Sequence, residues 1–289
     1  MTHEINSPGK INLTLRITGI RSDGMHNIAS LFMRLPALEK LTLGIRSEDN
    51  GGKDLVRVHG QRIKDRNILQ AVLEVARKKD PNMPPIIVDI WKQVPPGSGL
   101  GAGSGNAAAL ASWLSRDLGV RFSVEELVGI GSDVPFLFRG GDLSWMTGAG
   151  EKPLHRINGV AGLFRVVIAI PGWSCSTPVM YRRADGFYRK EGWKYCEEEA
   201  CEEALGILGT LKRRRRVGLL PNDFLPVLLA MHPGYRSLFE AAENSGALAW
   251  GISGSGSAFF CLFNRENGDA SPLGLFEEAD FVRKILVLG

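Results

Sequence analysis

The chain has 289 residues, 44% hydrophobic and 23% charged, with a formal charge of +4. That length and balance describe an ordinary globular protein of one large domain or two closely packed ones, able to bury a core without disulfides or a structural metal. The charge suits polyanionic ligands such as nucleotides but is too weak to indicate nucleic acid.

No apolar run approaches the roughly 20 residues that span a bilayer. Met1 to Gly9 lack the basic-then-apolar plan of a secretory signal. The four cysteines, Cys175, Cys196, Cys201 and Cys261, include no C-x-x-C pair, so neither a zinc site nor a disulfide framework is expected. The expectation is a cytoplasmic protein with reduced thiols.

In chain order, Ile11, Leu13, Leu15 and Ile17 alternate with polar residues, which predicts a half-buried strand. Leu41, Leu43 and Ile45 repeat the pattern, and Leu55 to Val58 are expected to return beside them. From Asn67 to Lys79 the apolar positions keep a helical period, ended by Asp80-Pro81. Ile86 to Trp91 reads as a buried strand. A glycine-rich loop, Pro95 to Gly105, follows at once, and Asn106 to Leu118 reads as a helix.

Beyond a soft domain boundary at Asn158-Gly159, Leu163 to Ile170 predicts a strand. Helices are expected near Cys196 to Arg216, Phe224 to Met231 and Tyr235 to Asn244. Strands at Ala247 to Ile252 and Ala258 to Phe263 flank a second glycine loop, Ser253 to Ser257, and Phe281 to Leu288 reads as a last strand. Helices and strands mixed in two consecutive units make an α+β protein, with domains at 1–158 and 159–289. The Arg213 to Arg216 run follows Glu197, Glu198, Glu199, Glu202 and Glu203 on one expected helix, which is the charge order a helix dipole favours and not a nucleic-acid signal.

The loop P-P-G-S-G-L-G-A-G-S-G holds five glycines in eleven positions. Alternate glycines let backbone N–H groups converge on an anion, and a following helix adds its positive end. No Gly-Lys-Ser/Thr closes it, so it is not a Walker A loop. A strand before and a helix after favour a phosphate cradle over a linker.

S-P-G-K-I-N-L-T-L at Ser7 to Leu15, P-P-G-S-G-L-G-A-G-S-G-N-A-A at Pro95 to Ala108 and S-G-S-G-S-A at Ser253 to Ala258 resemble, in order, the three motifs of the GHMP kinases. I-T-G-I-R-S-D-G-M-H at Ile17 to His26, G-S-D-V-P-F at Gly131 to Phe136, S-T-P-V-M-Y at Ser176 to Tyr181 and N-D-F-L-P at Asn222 to Pro226 are similar to segments of the 4-diphosphocytidyl-2-C-methyl-D-erythritol kinases within that family. The resemblance implies a ribosomal-S5-domain-2-like N-terminal domain and a ferredoxin-like C-terminal one. It implies transfer of the γ-phosphate of ATP, with Mg²⁺, to the 2-hydroxyl of that metabolite in non-mevalonate isoprenoid synthesis.

The site residues follow from the same resemblance. Asp133 would be the general base that takes the hydroxyl proton, and Lys10 would favour the ionised carboxylate and the transferring phosphoryl group. ATP would be bound by Pro95, Pro96, Gly97, Ser98, Gly99, Leu100, Gly101, Ala102, Gly103, Ser104, Gly105 and Asn106. Asn67 would lie near the adenine and Lys92 before the phosphate loop. Asn12, Met25, His26 and Tyr181 would hold the acceptor, Tyr181 stacking on its cytosine, with Gly254, Ser255 and Gly256 from the third motif. No protein metal ligand is expected, because Mg²⁺ can be held by phosphates and water.

Three positions depart from the family pattern. Met25 stands where the family has a tyrosine that stacks on the cytosine, Gly105 where it has a second serine. The segment from Glu125 to Asp133 is about one helical turn short. Two other readings share the same motifs: a GHMP kinase for another alcohol, mevalonate- or homoserine-like, and a nucleotide-binding descendant without turnover. An RNA-binding role is disfavoured by the localised arginine run.

Overall fold

The alternation at Ile11 to Ile17 belongs to a longer strand. The computed structural model of the protein describes residues 2–46, 52–60, 67–188, 192–267, 274 and 276–289, and β1 runs over Thr2–Ile20. Strand β2, His26–Ile45, returns beside it after a tight turn in which the Gly24 N–H donates to the Arg21 carbonyl at 3.0 Å. Ile11, Leu13, Leu15 and Ile17 are buried, but so are Lys10, Asn12 and Thr14. The polar face of this strand is therefore covered too, which a two-residue period cannot reveal.

Two interleaved units make up the chain. The first holds Met1–Lys10, Arg34–Pro96 and Gly101–Gly140, the second Ile11–Met33, Gly97–Leu100 and Gly141–Gly289. Asn158-Gly159 lies within the second.

In the first unit β3, Leu55–His59, lies parallel to β4, Ile86–Trp91, whose other edge pairs antiparallel with Lys40–Ile45 of β2. The expected return of Leu55 to Val58 beside Leu41 to Ile45 does not occur; β4 lies between them. Parallel pairing needs a crossover, and α1, Ile68–Lys79, supplies it. Its cap is Asn67, whose Oδ1 accepts from the Leu69 N–H at 3.0 Å, and it buries Leu69, Val72, Leu73 and Ala76 on one face.

Helix α2 spans Ala102–Asp117 and starts four residues before the expected Asn106, so the last glycines of the loop form its first turn. Ala107, Ala108, Ala109 and Ala111 are buried with Leu110, Trp113 and Leu114. Small side chains let α1 and α4 pack against α2. Helix α3, Val124–Ile130, opens with a Ser123/Glu126 capping box. Helix α4, Val134–Arg139, begins directly after Asp133 with proline in its first turn.

In the second unit Ser30–Met33 of β2 pair with β5, Leu143–Thr147, and β5 pairs with β6, Lys152–Ile157. The main sheet has the order β11-β7-β10-β9-β8. Here β7 is Phe164–Pro171, β8 Gly218–Leu219, β9 Ala249–Ile252, β10 Phe259–Asn264 and β11 Val282–Leu288. Val167, Ala169, Trp250, Ile252, Phe259 and Cys261 of this sheet form one core with four helical residues, Met180, Leu228, Tyr235 and Leu238. These lie on α5, Thr177–Tyr188, α7, Leu225–Met231, and α8, Tyr235–Asn244.

Helix α6, Glu197–Lys212, ends before the expected Arg216, since Arg214 takes a positive φ of 56°. Two of the arginines beyond it meet carboxylates: Arg214 pairs with Glu266, and Arg216 with Glu243 at 2.9 Å. All four cysteines are free thiols. Among the described residues no helix is long and apolar enough to cross a membrane.

Candidate active site

The glycine loop and the predicted acid–base pair meet in the first unit. Gly101 is the N-cap of α2 in the left-handed region, φ 63°, with no side-chain cap. The Gly105 N–H donates to the Gly101 carbonyl at 2.8 Å, closing the first helical turn. The N–H groups of Ala102, Gly103 and Ser104 precede that bond and have no partner inside the helix. They sit at its positive end.

A methyl group on Gly101 would lie 3.1 Å from Lys10 Cγ and 3.3 Å from Asp133 Oδ2, while one on Gly103 would meet no atom within 4 Å. The cradle is thus open over Gly103 and walled at Gly101 by the pair. Lys10 Nζ stands 3.7 Å from Asp133 Oδ2. The lysine is buried and the aspartate side chain one-fifth exposed, so the carboxylate keeps an accessible edge. Proline in the first turn of α4 and the Gly131 C-cap of α3 hold the turn that carries Asp133.

Gly105 has a different duty. A Cβ there would fall 1.7 Å from the Pro8 carbonyl oxygen. Glycine is required where α2 crosses β1, and the residue points away from the open side of the cradle.

Lys92 is neither solvated nor turned to the loop. Its Nζ donates to Glu39 Oε2 at 2.6 Å, and Asn106 Nδ2 donates to the same oxygen at 2.8 Å. Glu39 Oε1 accepts from the Gln93 and Val94 N–H groups at 2.8 and 2.9 Å. Glu39 is almost fully buried, so it needs this cation and these donors. It organises the entrance to the loop, and no motif had singled it out. The one cue was a charged pair, Glu39-Lys40, inside an apolar strand. Asn67, besides capping α1, keeps a buried Nδ2 with no hydrogen-bond partner among the described residues.

In the second unit Gly97–Leu100 pack against the third motif. A Cβ on Gly99 would sit 2.0 Å from the Ser253 carbonyl oxygen, and Gly99 takes φ 78°. Ser253 Oγ donates to the Gly99 carbonyl at 2.8 Å, and the Ala258 N–H to the Ser98 carbonyl at 2.9 Å. Ser98 and Leu100 are buried, as is Ser255, whose Oγ pairs with Thr177 Oγ1 at 3.1 Å. The Gly254 carbonyl accepts from Asn222 Nδ2 at 3.0 Å, and Gly256 faces Cys175 Sγ. These residues hold Gly97–Leu100 in place. Pro96 and Gly97 are exposed and Pro95 is half-buried.

Of the predicted acceptor residues, Asn12 is buried. Its Nδ2 donates to Ser30 Oγ at 2.9 Å, and its Oδ1 accepts from Ser253 Oγ at 3.5 Å. His26 is buried at the start of β2. Tyr181 stacks on it with ring centroids 4.3 Å apart and 21° between planes, and Phe224 meets Tyr181 edge-on at 4.9 Å. The tyrosine face turned to His26 is therefore covered by the imidazole. Two further residues join this cluster unannounced: Asp185, 2.6 Å from His26 Nε2, and Trp193, edge-on to His26 at 5.9 Å. Met25 is 53% exposed on the hairpin turn.

The GHMP kinases N terminal domain matches residues 66–142, and the GHMP kinases C terminal family matches residues 198–270. A 4-diphosphocytidyl-2-C-methyl-D-erythritol kinase of Prosthecochloris aestuarii is 30% identical over 273 residues, covering 91% of this chain and 90% of the relative. The enzyme of that name from Porphyromonas gingivalis is 31% identical over 268 residues, covering 89% and 90%. A crystal structure of a 4-(cytidine 5'-diphospho)-2C-methyl-D-erythritol kinase, at 23% identity, shares the fold with a TM-score of 0.78 over 99% of this chain and 98% of that one. With both halves of the family pattern present and these relatives aligned along nearly their whole length, the chain belongs to the GHMP kinases, among the 4-diphosphocytidyl-2-C-methyl-D-erythritol kinases.

Proposed function

We propose that this protein transfers the γ-phosphoryl group of ATP to the 2-hydroxyl of 4-diphosphocytidyl-2-C-methyl-D-erythritol, in the cytoplasm, as a step of non-mevalonate isoprenoid precursor synthesis. The observation that carries the reading is the Lys10–Asp133 pair against Gly101: a base and a cation beside a phosphate cradle. Asp133 takes the proton of the attacking hydroxyl. Lys10 stabilises charge on the phosphoryl oxygens during transfer. Ala102, Gly103 and Ser104 offer backbone N–H groups to the nucleotide phosphates.

This reading takes Mg²⁺ as held chiefly by the nucleotide phosphates and water. Among the described residues no group of three or more His, Cys, Asp or Glu side chains is placed to hold a metal, and the Ser104 hydroxyl is the oxygen donor that the half-buried part of the loop offers. The ion, when bound with ATP, neutralises charge on the phosphate oxygens. In this reading Asn12, His26 and Tyr181 hold the acceptor, and the division at residues 158 and 159 separates the sequence domains. Lys92, Gly105 and Asn106 become supports of the loop instead of ATP ligands.

A coupled ADP-release assay across alcohols tests the reading. The cytidyl acceptor should be turned over with kcat/KM at least a hundredfold above mevalonate and homoserine. Equal or better turnover of either alternative alcohol would refute it.

A further inference from the structure

His26 is held from three sides. Tyr181 covers one ring face at 4.3 Å, Trp193 stands edge-on at 5.9 Å, and Asp185 Oδ1 lies 2.6 Å from Nε2. Tyr181 and Asp185 are four residues apart on α5, so one helical face presents both to the imidazole. A carboxylate can only accept a hydrogen bond. Nε2 therefore carries the ring proton in this contact, and the other nitrogen, Nδ1, has no hydrogen-bond partner among the described residues.

We infer that Asp185 is a positioning residue for acceptor recognition: by fixing His26 through Nε2–H, it presents Nδ1 as the imidazole atom that hydrogen-bonds the acceptor's base. This rests on the cytidyl reading given above. The stacked Tyr181 and the edge of Trp193 prevent the ring from turning over to offer Nε2 instead. Such an arrangement suits a pyrimidine, whose hydrogen-bonding edge can meet a single fixed ring nitrogen in the plane of the imidazole. The side chain of Asp185 is about one-third exposed, so its removal leaves no buried charge behind and the fold is expected to survive.

The test joins a spectroscopic readout to kinetics. In protein with ¹⁵N-labelled histidine, the His26 signals (assigned by their loss in His26→Gln) should show Nε2 protonated, and Asp185→Ala should shift them toward a mixture of tautomers. The same variant should raise KM for 4-diphosphocytidyl-2-C-methyl-D-erythritol by about three- to tenfold, the usual scale for losing a hydrogen bond between neutral groups, with kcat and KM for ATP within about twofold of wild type. Asp185→Asn keeps an accepting oxygen and should restore most of the loss.

A wild-type spectrum with Nε2 bare, an unchanged KM in Asp185→Ala, or an equal loss in kcat and ATP affinity would overturn the assignment. Failure of the wild-type protein to turn over the cytidyl acceptor would remove the base contact together with the proposed function. The tautomer measurement would still decide whether Asp185 orients His26.

Discussion

Replacing Gly103 by alanine should make the free protein more stable and a poorer nucleotide binder. A Cβ on Gly103 meets nothing within 4 Å, and the residue lies within α2. Alanine in a helix is favoured over glycine by up to about 1 kcal/mol. For a chain of this size each kcal/mol moves Tm by about 2–4 °C, so the ligand-free variant should melt up to roughly 4 °C higher. The same methyl group enters the space above the helix N-terminus, where a phosphate must approach the backbone.

Losing one hydrogen bond to a charged phosphate costs about 1.5–3 kcal/mol, or about 10- to 100-fold in affinity for a non-hydrolysable ATP analogue measured by calorimetry. Gly101→Ala is the contrast. Its positive φ of 63° strains any L side chain by about 1–2 kcal/mol, and its methyl group presses on Lys10 and Asp133, so Tm and kcat should both fall. Gly103→Ala with a higher Tm and unchanged nucleotide affinity would show that the phosphates do not lie over this turn. A lower Tm would show that the space is not open.

Three further outcomes follow from single contacts. Lys92→Met strips the cation from buried Glu39 and should cost about 3–5 kcal/mol in urea unfolding; Glu39→Gln combined with Lys92→Met should recover part of it, and a silent single variant would contradict the burial of this pair. Gly105→Ser, although it restores the serine of the family pattern, should destabilise by about 1–3 kcal/mol or more, since its Cβ would meet the Pro8 carbonyl; a Tm at or above wild type would remove the packing argument. The Arg57 hydrogen bond holds the Asp89 carboxyl below the usual carboxylate range despite its burial, with His59 adding to the effect. The stability this contributes is complete above the unfolded carboxylate pKa and is lost as pH falls through the lowered folded value, so the unfolding free-energy gap between wild type and Asp89→Asn should narrow with acid; a constant gap from neutral pH to pH 3 would contradict it.

What the sequence revealed depended on whether a residue's duty was local. The two glycine loops were legible because φ > 0 and close backbone approach demand glycine itself, and helices such as α1 and α8 were legible because their apolar period is complete within one segment. Helix α5 was missed: it contains Pro178 and Gly186, both poor helix formers, and it buries only Met180 and Ala184. The duties of Glu39 and Asp185 were not legible, since each is defined by partners far away in the chain, 53 residues in Glu39 to Lys92 and 159 in Asp185 to His26. Lys92 shows the limit of motif reading. The resemblance drew attention to this position as a basic residue before the phosphate loop, whereas its partner is the buried Glu39 carboxylate, which no spacing rule identifies.

The central claim is that Asp133 is the base for phosphoryl transfer. Its most direct measurement is single-turnover phosphorylation of the cytidyl acceptor by Asp133→Asn, alongside nucleotide affinity. The amide cannot take the hydroxyl proton, and general-base catalysis contributes about 10²–10⁴-fold, so the transfer rate should drop by that factor while ATP affinity stays within about twofold. A variant that transfers phosphate at near wild-type rate would contradict the account.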